Sequence, residues 1–289
     1  MFLYISCANP QVSSNNLKTI ATIFILLTFF VSIGQNIRID TSKSIQEIEQ
    51  TLMTLADTAF HRGWNIDFDD SLTPEDIFIE KLSLTLKSPK FFKYKFPLLA
   101  KQHSDYNAWR IFIIYSDDSL FRVFNWLSPS TGTMHHFPAI FQAKNKNGKV
   151  LFKDSEVPHI DGSMALTCYE SIFRLESAAR QIYLCIGSGQ GSTSLPFQMI
   201  ETYEVTSDSI EGANVLPDST NLTSAILIDR QATFYGEKGQ DIPEVEYDTK
   251  TQVLTLPEIV GSYAKEGDIK WNGKLIRLKF NGQKFERQK

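Results

Sequence analysis

From Trp109 to the C-terminus, apolar and polar residues alternate with a period of two. The runs are short and separated by turn-forming residues, which commits most of the chain to β-structure. The first pair reads WRIFIIY, turns at Ser116-Asp117-Asp118-Ser119 and returns as LFRVFNW, a hairpin pattern. FPAIFQAK and KVLFK follow, divided by Asn145-Lys146-Asn147-Gly148. A second set reads LTCYESIFRL, QIYLCIG, FQMIETYEV and SIEGANVL. A third contains TSAILID, EVEYD, QVLTL, KLIRLKF and QKFER. Asn272-Gly273 and Asn281-Gly282 are strong turn dipeptides, because both residue types tolerate the left-handed backbone of tight hairpins. The grouping predicts a mainly β fold of three successive antiparallel meanders, about four strands each. Such units could stack in a propeller-like array or form a sandwich or barrel. No helix–strand rhythm runs through this half, which argues against a doubly wound enzyme fold. The 21 Phe, 10 Tyr and 4 Trp suit strands with large aromatic cores.

Ahead of the β body the period changes to that of a helix. Residues 41–62 carry Ile45, Ile48, Leu52, Leu55 and Ala59 at helical spacing, behind a Ser44/Glu47 capping box and ahead of Gly63. A second helix is predicted from Thr73-Pro74-Glu75-Asp76 to Lys87. Threonine caps its start, proline suits the first turn, acids favour the positive end, and Ser88-Pro89 stops it.

The N-terminus bears an export pattern. Lys18 precedes an apolar run from Ile20 to Ile33, and Ser32 and Gly34 are small residues at −3 and −1 of a cut before Gln35. The run is short for a membrane anchor and no basic stop-transfer cluster follows it. Leu17 could be the true start, read as Met, which would give an ordinary Met-Lys-Thr-Ile leader. Cys7 loosely matches a lipoprotein cut site but lacks a preceding apolar region. The organisation expected is a signal peptide over residues 1–34, an N-terminal helical segment over 35–105 and an antiparallel β domain over 106–289. No stable membrane span is expected after cleavage, with the mature chain in the periplasm or outside the cell. Export permits a disulfide between Cys168 and Cys185, which flank a hairpin turning near residues 176–179; two buried thiols are the other reading.

Candidate chemistry is sparse. Net charge is −4 and no long basic run occurs, so no nucleic-acid partner is expected. His135 and His136 are adjacent, so on a strand they would face opposite ways, and no HExxH spacing accompanies them. Residues 187–194, GSGQGSTS, lack the Lys-Ser/Thr of a phosphate loop and the helix of a dinucleotide site, and read as a flexible loop between strands. Asp67-Phe68-Asp69-Asp70 fails the calcium-loop pattern at its sixth and twelfth positions. Arg122, Phe124 and Trp126 share one face of a strand. Such a face can bind sugar or peptide, although it is more often core. Arg122, Trp126, His135 and His136 are therefore the candidate ligand-binding residues. No catalytic residue, metal site or cofactor is assigned.

Asp118, Arg122, Phe124 and Trp126 also spell D-x-x-x-R-x-[FY]-x-W. Thr131-Gly132-Thr133-Met134, Phe137 and Gln142 follow it, and KFFKYKFPLL precedes it. This stretch, residues 90–145, resembles a family of uncharacterised exported proteins of Bacteroidota, with one glycine where that family has two. The resemblance implies export and carries over no catalytic role. The expectation is an exported noncatalytic binding or scaffolding protein of the cell envelope, with an envelope protein or a glycan as partner. The rivals are a hydrolase of an envelope or environmental polymer and a purely structural component.

Overall fold

A computed structural model describes residues 43–61, 73–100, 111–128, 135–154, 167–191, 196–218, 221–230, 242–260 and 270–288. All of these fall in one compact unit, Ser42–Lys289. The described parts of the N-terminal helical segment and of the β body lie together in that unit. The predicted signal peptide and the Asp67–Asp70 stretch lie outside the described residues.

Helix α1 (Ile45–His61) starts where the sequence places it. The Ser44 N–H donates to Glu47 Oε2 at 2.7 Å, and the Glu47 N–H donates back to Ser44 Oγ at 3.2 Å. Helix α2 (Pro74–Lys87) has the same device between Thr73 and Asp76, with Pro74 in its first turn. Such caps satisfy amides that the first helical turn leaves without partners. A 3-10 turn, Pro89–Phe91, follows.

Strands β1 (Ile111–Tyr115), β2 (Phe121–Trp126), β3 (Ala139–Lys144) and β4 (Val150–Asp154) form the first sheet as a simple meander. The second sheet is built on β5 (Thr167–Leu175), β6 (Ile182–Gln190) and β7 (Pro196–Val205). Two strands share the outer edge of β7: β8 (Ile210–Gly212) pairs one end and β11 (Ala225–Asp229) the other. Strands β9 (Leu216–Pro217) and β10 (Leu222–Thr223) make a small pair. The third sheet runs β12 (Glu246–Asp248), β13 (Val253–Val260), β14 (Lys270–Phe280) and β15 (Phe285–Arg287). Every pairing is antiparallel. The sequence places TSAILID with the third set; the structure moves it to the second sheet, as β11.

The sheets stack. Phe121, Val123 and Phe141 of the first sheet pack on Tyr183, Cys185 and Tyr203 of the second. The opposite face of the second sheet, with Leu184, Ile186 and Ile200, packs on Leu254, Leu256 and Leu278 of the third. Helices cover the far side of the first sheet, where Phe78 meets Trp126 edge-on at 5.6 Å and Phe96 meets Phe124 at 5.4 Å. The order is thus helices, first sheet, second sheet, third sheet. The outer face of the third sheet carries the exposed Leu275, Arg277 and Lys279. Among the described residues, no sheet closes into a barrel. The burial explains a sequence detail: Ile182 to Cys185 are wholly buried, so IYLCIG is continuously apolar because both faces of β6 meet other sheets. Each large side chain buried there stabilises the stack by about 1.5–3 kcal/mol.

Candidate functional site

The hairpin residues that look like a binding face turn out to hold the layers together. Arg122 is 2% exposed. Its Nε donates to Gln142 Oε1 at 2.7 Å, Nη1 to the Tyr94 carbonyl at 2.6 Å and Nη2 to the Phe91 carbonyl at 2.7 Å. Rings of Phe92, Phe96, Tyr115 and Phe124 surround the guanidinium at 5.0–5.8 Å. Burial lowers its pKa from the ordinary arginine value, an effect the adjacent Tyr115 partly offsets. Gln142 passes the link on, its Nε2 donating to the Leu86 carbonyl in the last turn of α2. Trp126 is equally buried, and its Nε1 donates to Glu75 Oε1 at 3.0 Å. Asn125 joins the next layer: its Oδ1 accepts the Tyr169 N–H at 2.9 Å and its Nδ2 donates to the Phe112 carbonyl at 3.1 Å. Asp118 closes the hairpin turn and accepts the Tyr183 hydroxyl at 3.0 Å. Contrary to expectation, Arg122 and Trp126 offer no surface to a ligand, because both are buried between layers.

His135 and His136 lie just before β3 rather than inside a strand. The His135 N–H donates to the Gln190 carbonyl at 3.2 Å, and the His136 carbonyl accepts the Ser128 N–H at 2.9 Å. Both are half-buried, and burial holds the His136 imidazole pKa below its ordinary value. Among the described residues, no group of three or more His, Cys, Asp or Glu is placed to hold a metal ion.

Cys168 and Cys185 are free thiols, the second of the two readings that the sequence leaves open. The register sets Cys168 opposite Ser188 and Cys185 opposite Ile172, so the two never face each other across the hairpin. Burial raises both thiols, Cys168 to about 12 with help from Glu170. The first half of GSGQGSTS is not a loop either: β6 runs on to Gln190. Its glycine has a steric reason. A Cβ on Gly187 would sit 2.4 Å from the Cys168 carbonyl oxygen, because β5 bulges towards it between Tyr169 and Ser171.

A second polar cluster, which has no local signature in the sequence, lies between the first and second sheets. The hydroxyls of Tyr169 and Tyr203 both donate to Glu201 Oε2, the latter at 3.3 Å, and lie 3.1 Å apart. Lys153 Nζ stands 4.9 Å from the centre of the Tyr203 ring. Burial and the neighbouring Glu201 carboxylate push both phenols well above the usual tyrosine value. Every hydroxyl here is engaged and the carboxylate is buried, so the cluster is a closed network that substrate does not reach.

Among the described residues, a groove of about 530 Å³ lies open where the second and third sheets part. Ala225, Ile226 and Leu227 of β11 form one wall, and Leu256, Ile276 and Leu278 of the third sheet form the other, with Pro217, Asp218 and Arg287 at the rim. Leu227 is 48% exposed, and Leu222, paired on β10 with the rim residue Pro217, is 40% exposed. The cause lies in the topology. β11 adds to the edge of the second sheet beyond the reach of the first, so the side of it that would meet that layer is bare. The sequence shows these residues only as an ordinary apolar run, TSAILID; their exposure depends on which sheet the strand joins. Among the described residues, no helix is long and apolar enough to cross a membrane. No protein-family model, curated protein or solved structure matches this chain.

Proposed function

We propose that the chain is an exported, noncatalytic binding protein of the cell envelope that holds a protein ligand at the groove between the second and third sheets. The observation that carries this reading is a contrast. Arg122 and Trp126 are spent inside the stack, whereas an apolar groove lined by the exposed Leu227 stands open. Exposed apolar surface beside a concave opening is what partner recognition requires. Protein is favoured over glycan because sugar sites offer exposed aromatic faces. The large hydrophobic side chains that stand exposed among the described residues are Leu120, Leu127, Leu222, Leu227 and Leu275. Export rests on the leader pattern that ends before Gln35.

The test is saturable binding of the apolar dye ANS to the purified protein. The reading expects one saturable site that Ile276→Glu weakens at least tenfold and Lys279→Glu, on the outer face, leaves unchanged. Leu227→Ser serves as a second groove variant should Ile276→Glu fail to fold. Equal binding to the parent and the folded groove variants would overturn the reading.

A further inference from the structure

We infer that β11 is a docking edge, which takes an extended, uncharged peptide segment of a partner protein by adding it as a further strand of the second sheet. The inference rests on the binding role proposed above and names the chemistry of its partner.

The hydrogen-bond phase of β11 supports it. The Thr202 N–H donates to the Ser224 carbonyl at 2.8 Å, and the Arg230 N–H donates to the Pro196 carbonyl at 2.9 Å. Even-numbered residues of this strand therefore bond to β7, and the N–H and C=O of Ala225, Leu227 and Asp229 point the other way. The hydroxyl of Thr223 serves both groups of Ala225, at 3.3 and 3.2 Å. Neither main-chain group of Leu227 has a hydrogen-bond partner among the described residues, and its side chain stands exposed beside the groove.

The other sheet edges carry protection. Strand β5 is bulged at Glu170, β4 ends in Lys153 and Asp154, and β12 and β15 are three residues long with two charges each. The β1 edge is uncharged, but that strand packs against β5. An unguarded edge recruits another strand, which natural proteins otherwise prevent with charge, bulges or short length. The Ala-Ile-Leu-Ile-Asp of β11 has no charge before its last residue.

Charge selects the occupant. The rim cations are already matched, Arg287 to Glu258 at 2.6 Å and Arg230 to Glu244 at 3.9 Å, and the walls are aliphatic. An acidic segment would find no unmatched cation there, whereas an uncharged one with alternating apolar side chains matches both the strand edge at Leu227 and the groove.

The experiment uses a fluorescein-labelled, capped hexapeptide of alternating Val and Thr, and its counterpart N-methylated at every second residue so that one edge cannot donate. Fluorescence anisotropy with the purified protein is expected to show saturable binding of the first peptide and at least tenfold weaker binding of the second. Leu227→Pro removes an N–H that points away from β7, so the fold is retained, and binding is expected to fall at least tenfold. Leu227→Lys guards the edge by charge and should act alike. Equal binding of both peptides would overturn strand addition while leaving the groove reading in place. No binding of either peptide would overturn the docking edge, and a loss of the ANS site as well would remove the groove reading with it. A concentration-dependent dimer abolished by Leu227→Pro would overturn the partner protein as occupant in favour of a second copy.

Discussion

Replacing Arg122 by Met tests whether the hairpin motif is structural. The side chain keeps its length and apolar stem but loses every donor. Three acceptors are left in the interior without their partner: the Phe91 and Tyr94 carbonyls and Gln142 Oε1. A buried acceptor left unsatisfied costs about 1–3 kcal/mol. Against this stands the relief of no longer burying a guanidinium that has no carboxylate partner among the described residues, a cost that apolar replacement of buried charge is known to recover in part. Three orphaned acceptors at the low end already total about 3 kcal/mol, and the aromatic cage loses its cation–π attraction as well. The net loss expected is about 3 kcal/mol, or about 6–12 °C in Tm for a domain of this size. The assay is urea unfolding followed by circular dichroism, with the m-value checked against the parent, alongside a thermal melt. A Tm within about 2 °C of the parent, a shift worth under about 1 kcal/mol, would show that desolvation dominates and that the motif does not hold the layers together.

Three further outcomes are expected. Gly187→Ala should destabilise by about 2 kcal/mol or more, read in the same urea assay, because its Cβ meets backbone rather than a movable side chain. In protein lacking residues 1–34, and so Cys7, two thiols should titrate with Ellman's reagent in denaturant, and both should react slowly in the native protein at pH 8, since the Cys168 thiolate forms only towards pH 12 and Cys185 is fully buried. Stability should fall under alkali: Tyr169 and Tyr203 have folded pKa values raised above the unfolded value of about 10. Their contribution is complete below that unfolded value and is lost as pH rises through it towards the folded one. Tyr203→Phe should flatten the alkaline limb of stability against pH, and an unchanged limb in that variant would refute the assignment.

Much of the architecture was legible in the sequence because it is local. Alternation at period two marked the strands, Asn-Gly and Asp-rich turns marked their ends, and the Ser44/Glu47 and Thr73/Asp76 pairs fixed both helix starts through contacts three residues apart. The successive meanders followed from short turns, which leave neighbouring strands little choice but to pair. What the tertiary structure alone decided is long-range. Arg122 could have faced water or core on its strand; only the arrival of the 3-10 turn and the Leu86 helix end above the first sheet made it an internal clasp. The offset of Cys168 from Cys185 came from register and a bulge, neither of which composition encodes. TSAILID reads equally well as a strand of the second or third sheet, because period two fixes which residues share a face and says nothing about which edge the strand joins. Joining β7 made it β11, left Leu227 bare and opened the groove. The candidate site is thus a product of edge pairing, a choice made between residues far apart in the chain and settled by the packing of whole sheets.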